Sequence, residues 1–157
     1  MRALIFALVL MITPFVAQAA PSQEQCLALA IYHEAKNQTI SGQVAVAMVI
    51  MNRKRNNRFP KTVCGVVKQS HFPGKKYKCQ FTFFCDGKSD RPVNKTAWLK
   101  AKVIANFVYS NYDRLSDPTQ GSLWYHADYV TPKWSSKLIR VAQIDDHIFY
   151  RQVERQR

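Results

Sequence analysis

The sequence predicts an α+β domain: helices first, then a small antiparallel sheet near the end. Apolar residues recur at helical spacing in the first half and again between residues 94 and 112. Residues 70–94, between them, are dense in turn signals such as Pro73-Gly74, Asp86-Gly87 and Arg91-Pro92. Beyond residue 120 the pattern changes to short aromatic and β-branched runs joined by turn residues.

The opening residues read as a removable leader, with a retained membrane anchor as the alternative. Arg2 supplies a positive start, residues 3–12 are apolar, and Ala17-Gln18-Ala19 offers small residues where a signal peptidase reads them. The apolar run is shorter than the roughly 20 residues a spanning helix needs. Cleavage after Ala19 removes 19 of 157 residues and leaves 138, enough for one domain with a core. The expected organisation is a signal peptide at 1–19 and one domain at 20–157, secreted or periplasmic.

Residues 23–35 read as the first helix, with Cys26, Leu27, Leu29, Ala30 and Ile31 supplying apolar contact. Ser41 is placed to cap a second helix running to about residue 55. Its centre, 44–51, is apolar on every side, as in a helix buried mid-fold. Arg53, Lys54 and Arg55 fall in its last turn, where cations complement the helix dipole. Phe59-Pro60 ends the segment, and residues 62–69 suggest a short helix with Val63, Val66 and Val67 inward. Residues 80–84 are the strand-like run of the loop region. Asn94 can cap a further helix to about residue 112. Strands are expected at 122–126, 141–144 and 147–151, the last two joined at Asp145-Asp146 because aspartate tolerates turn geometry.

Cys26, Cys64, Cys79 and Cys85 all follow the leader. An even count in an exported chain favours two disulfides. Of the three possible connectivities, Cys26–Cys64 with Cys79–Cys85 is preferred, since the second pair closes a short local loop. Without the leader, 22 Lys and Arg face 10 Asp and Glu, a net charge of +12. Such a balance suits an acidic or polyanionic partner.

Few residues offer chemistry. Of ten carboxylates, Glu34 stands out at the end of an apolar helix beside Tyr32 and His33. A carboxylic acid that donates a proton near neutral pH needs a raised pKa, which burial against apolar and aromatic groups provides. His33-Glu34 is not the zinc motif H-E-x-x-H, because position 37 is Asn37. His71, His126 and His147 are too scattered for a metal-ligand pattern, and no metal or cofactor is expected. There is no G-x-S-x-G elbow for a serine nucleophile. Trp124, Tyr125, His126 and Trp134 flank loops, where aromatic rings can stack on sugars.

The ordered segments resemble a known family. They are Cys26 through Ala35 with Tyr32-His33-Glu34, Gly42 through Ala47, Asn52-Arg53, Phe59-Pro60, Val63 through Val67, Gln80-Phe81-Thr82, Cys85-Asp86-Gly87, Tyr125-His126, Pro132 with Trp134, and His147 with Phe149-Tyr150. Over roughly residues 26–151 they are similar to the catalytic domain of the SleB-type cell-wall hydrolases. The resemblance implies a lysozyme-like fold. It also implies cleavage of peptidoglycan between N-acetylmuramic acid and N-acetylglucosamine, usually by lytic transglycosylation. Glu34 aligns with the family's catalytic acid; Gln80, Phe81, Tyr125, His126 and Trp134 are expected to meet substrate. Lys36-Asn37 departs from the family's usual Arg-Gly, and Asp145-Asp146 from its glycine turn.

If the enzyme instead hydrolyses the bond with a paired carboxylate, Asp86 and Asp128 are the candidate partners. Two other readings stand beside this one. One is a metal-dependent, amide-cleaving wall hydrolase. The other is a non-catalytic binder using the basic runs 53–58 and 75–78. Nucleic acid is not an expected partner, because the leader directs the chain away from it.

Overall fold

The computed structural model describes residues 20–70 and 72–153. The expected leader and His71 lie outside these residues. Four α-helices and a three-stranded sheet make up the fold: α1 (Gln23–Ala35), α2 (Ile40–Arg55), α3 (Val63–Val67), α4 (Lys95–Asn111), β1 (Trp124–Ala127), β2 (Ile139–Ile144) and β3 (His147–Arg151). Among the described residues, no helix is long and apolar enough to cross a membrane.

Local chemistry sets each helix start. Ser22 accepts from the Gln25 backbone N–H at 3.2 Å, while the Ser22 N–H donates to the Gln25 side chain at 2.9 Å, a reciprocal capping box. Asn94 caps α4 through the Ala97 N–H at 2.9 Å. Helix α2 starts two residues earlier than its sequence suggests. Thr39, not Ser41, is the cap, and its hydroxyl accepts from the Gly42 N–H. Thr39 wins because Asp145 holds it: that carboxylate accepts from the Thr39 N–H at 2.9 Å and from its hydroxyl at 2.7 Å.

Helix α2 is the axis of the molecule. Ala45, Val46, Ala47, Met48, Val49 and Ile50 are fully buried, and α1, α3 and α4 close around it. The sheet covers the remaining side, where Phe149 packs on Ala45 and Val49. Strand β3 is central, with β1 and β2 antiparallel on either flank. Asp145, at a φ of 49°, makes the turn between β2 and β3. Cys26 pairs with Cys64, tying α1 to α3, and Cys79 pairs with Cys85.

The run at 80–84 is not a strand. Thr82–Cys85 forms a 3₁₀ turn. The disulfide explains this, because six extended residues would span about 20 Å, whereas the Cα atoms of Cys79 and Cys85 are 6.1 Å apart.

Candidate active site

Glu34 lies in the last turn of α1, half-buried. The register that buries Leu27, Ala30 and Ile31 turns it toward β1. There the Tyr125 hydroxyl donates to Glu34 Oε2 at 3.3 Å, across 91 residues of sequence. Strand alternation is responsible: Tyr125 faces the helices together with Phe149 and His147, which it meets at 5.7 and 5.1 Å between ring centroids.

Arg53 completes the cluster. It is only 2% exposed, and its Nε donates to the Leu123 carbonyl at 2.7 Å, two residues before Tyr125. Phe59 and Phe81 flank the guanidinium at 5.4 and 5.5 Å. With its amide oxygen facing Arg53, Gln80 accepts from both terminal nitrogens at 3.3 Å.

Burial pushes the Glu34 carboxyl above the usual carboxylate range, and the Tyr125 hydrogen bond and Arg53 charge pull only partly the other way. Burial lowers Arg53 to about 10, with Tyr125 and Glu34 opposing, so it stays charged at neutral pH. Tyr125 is pushed well above the phenol range by burial and by Glu34, so it remains a donor. Burial also lowers His147. The site therefore holds one carboxyl biased toward its protonated form, one obligate donor and one fixed cation. Such a set can deliver a proton and then stabilise the carboxylate left behind.

The other sequence candidates separate. Gln80 belongs to the cluster through Arg53. Phe81 is 2% exposed and lies beneath the same guanidinium, so it reaches the cluster through Arg53. His126 follows Tyr125 on β1 and so points to the opposite face of the sheet. It stacks on Tyr150 at 5.2 Å, shares a hydrogen bond with the Tyr150 hydroxyl at 3.0 Å, and meets Trp134 edge-on. Trp134, 37% exposed, leaves part of its ring open there. Asp86 turns back to accept from the Lys88 N–H at 2.7 Å, and Asp128 is exposed after β1. Neither is among the groups that shift Glu34.

The three described histidines also have separate surroundings. His33 stacks on Phe83 at 4.4 Å with Nε2 3.1 Å from the Asp90 carbonyl; His126 and His147 pack as above. In the sequence Arg53 stands with Lys54 and Arg55 as one of three cations in the last turn of α2. No local pattern separates it from Lys54 and Arg55, because the preceding turns are apolar on every side.

A helical domain with a small sheet, and one carboxyl held beside a buried arginine and a tyrosine, define a candidate acid-catalysing hydrolase. The cell wall hydrolase family matches residues 37–150, and the chain belongs to that family. The spore cortex-lytic enzymes of Bacillus cereus and Bacillus subtilis are 33% and 32% identical to it over 126 and 124 residues. Those matches cover 80% and 78% of this chain but only 42% and 35% of the relatives, so the chain spans less than half their length. The crystal structure of the catalytic domain of the Bacillus cereus SleB protein is similar at 33% identity and a TM-score of 0.59, covering 82% of this chain and 89% of that one. The catalytic domain of the germination-specific lytic transglycosylase SleB from Bacillus anthracis gives 31% and 0.62, covering 88% and 100%. The fold is thus that of the lysozyme-like SleB catalytic domains.

Proposed function

We propose that this protein cleaves the glycan strands of peptidoglycan between N-acetylmuramic acid and N-acetylglucosamine, by lytic transglycosylation with Glu34 as the catalytic acid. The observation that carries the reading is a half-buried carboxyl raised by burial, with Tyr125 and Arg53 beside it and no second carboxylate among the groups acting on it. Family membership supports the substrate class. The exported location rests on the leader-like start of the sequence, and two disulfides are consistent with it.

Protonated Glu34 donates to the glycosidic oxygen as the bond from the anomeric carbon breaks, freeing the N-acetylglucosamine hydroxyl. The new carboxylate, stabilised by Tyr125 and Arg53, then accepts the proton of the muramic acid C6 hydroxyl. That oxygen bonds to the anomeric carbon, giving a 1,6-anhydro end and returning Glu34 to its starting form. One carboxyl serves both steps, since the substrate supplies the nucleophile. In this reading Gln80 orients Arg53, while Trp134, with His126 behind it, offers a sugar a stacking face on the far side of the sheet.

Mass spectrometry of digested peptidoglycan tests the proposal. The native protein should release anhydro-muropeptides, and Glu34→Gln, which keeps the shape without the acid, should release none. Reducing ends would redirect the mechanism to hydrolysis by paired carboxylates, and released peptides would overturn the reading.

A further inference from the structure

We infer that a cationic cavity beside the Glu34 cluster binds the carboxylates of peptidoglycan stem peptides. The inference rests on the proposed substrate and adds to it the part of that substrate which the sugar-cleaving residues do not touch.

The cavity has a volume of about 480 Å³, and Lys68, Lys75, Lys76 and Lys88 line it together with Phe84 and the Cys79–Cys85 disulfide. Four ammonium groups around one space repel one another unless an anion joins them. Lys68 lies over the Phe84 ring at 5.6 Å and Lys75 over the Phe72 ring at 6.0 Å, contacts that leave the positive charge unneutralised. Among the described residues the one ion pair is Arg55–Asp113, which is elsewhere. Asp86 is engaged with the Lys88 backbone, and Asp90 is within electrostatic reach of Lys68 alone of the four. The fold also makes room for this charge. Gly87, at a φ of 81°, lies under the Lys76 side chain, and a Cβ there would run into its ammonium end.

The 3₁₀ turn Thr82–Cys85 connects the cavity to the cluster. Phe81 lies under Arg53, and Phe83 stacks on His33, the neighbour of Glu34. Phe84, the next residue, faces the cavity instead. One short turn therefore carries, at adjacent positions, a ring stacked on His33, next to Glu34 in α1, and a ring lining the lysine cavity. In peptidoglycan the sugars are neutral and the muramic lactyl group is amide-linked, so the negative charge resides on the stem peptides. A cationic cavity joined through this turn to the helix that carries Glu34 matches those carboxylates, and it gives part of the net charge of +13 a specific place to act.

The test measures binding without cleavage, with Glu34→Gln in every protein. Its probes are intact sacculi, the same sacculi freed of phosphate polymers with hydrofluoric acid, and the freed sacculi after an amidase has removed the stem peptides. Replacing Lys68, Lys76 and Lys88 by Gln should weaken binding to peptide-bearing sacculi about tenfold or more and flatten its salt dependence, with no change on naked glycan. The triple Lys→Arg protein should bind like its parent, which guards against a folding defect. Equal binding by the Gln variant, or an equal loss on naked glycan, overturns the inference. So does lysine-dependent binding that disappears after hydrofluoric acid, since that would assign the cavity to a phosphate polymer. Anhydro-muropeptide release by native protein is scored separately, so this site can fail while the proposed reaction stands.

Discussion

Glu34 sits between opposing influences, and their balance can be read as a pH profile. Burial disfavours its charge; the Tyr125 hydroxyl and Arg53 favour it. Tyr125→Phe removes a donor to the carboxylate, so the carboxyl should hold its proton to higher pH. The alkaline limb of kcat/KM should move up, even as the rate falls, and a downward move would contradict the proposed role. The same burial costs stability. An acid whose folded pKa lies above its unfolded value stabilises the fold fully only below the unfolded pKa, and that contribution is lost as pH rises through the folded one. Glu34→Gln should therefore raise Tm at pH 7. The gain should vanish under acid conditions, which calorimetry at two pH values would reveal. Local sequence singles out Glu34, as a glutamate closing an apolar helix, and Tyr125, as a loop-flanking aromatic, but does not show that the two meet. Their contact is made by the fold across 91 residues, and the inward turn of Arg53 depends on a carbonyl of another segment.

At the scale of elements, the β2–β3 turn and the start of α2 form one joint. The Asp145 carboxylate receives the Thr39 N–H and hydroxyl, and Asp146 receives the Gln38 amide at 3.0 Å. A negative charge there also complements the helix N-terminus. Gly42 belongs to the joint, because a Cβ at that position would collide with the Asp145 carboxylate. Asp145→Ala should cost about 1–2 kcal/mol. Gly42→Ala should destabilise the native protein, yet cost much less, or even stabilise, once Asp145 is Ala, as coupled neighbours do. Denaturant titration of the four proteins would show it; additive costs would mean the two sites do not share this contact. The sequence made Asp145-Asp146 visible as a turn but gave no sign of its partner on α2, so Ser41 rather than Thr39 was the apparent cap. The run at 80–84 misled for a related reason. Its strand-like composition is real, but the Cys79–Cys85 closure leaves no length for an extended chain.

Across the whole molecule, the order of helices then sheet was legible because periodicity and turn residues are local properties. How the two parts meet was not, since α2 is apolar on every side and gives no preferred face for the sheet. The disulfides bear on this larger organisation unequally. Cys26–Cys64 spans 38 residues and joins α1 to α3, enclosing α2 between its ends. Cys79–Cys85 spans six residues within one loop. In the chain-entropy account a closed loop of the first length restricts the unfolded state by about 4 kcal/mol and the second by about 2 kcal/mol. Replacing Cys26 and Cys64 by Ser should therefore lower Tm by roughly 10 °C or more, and replacing Cys79 and Cys85 by distinctly less. The smaller staple should matter locally instead: without it, amide exchange should quicken through residues 79–88, which carry the 3₁₀ turn, while α2 stays protected. Calorimetry and hydrogen exchange on the two double variants separate these effects. Equal losses of Tm, or exchange that quickens throughout α2 in the Cys79/Cys85 variant, would mean that the short loop supports the core and not merely the turn beside Glu34.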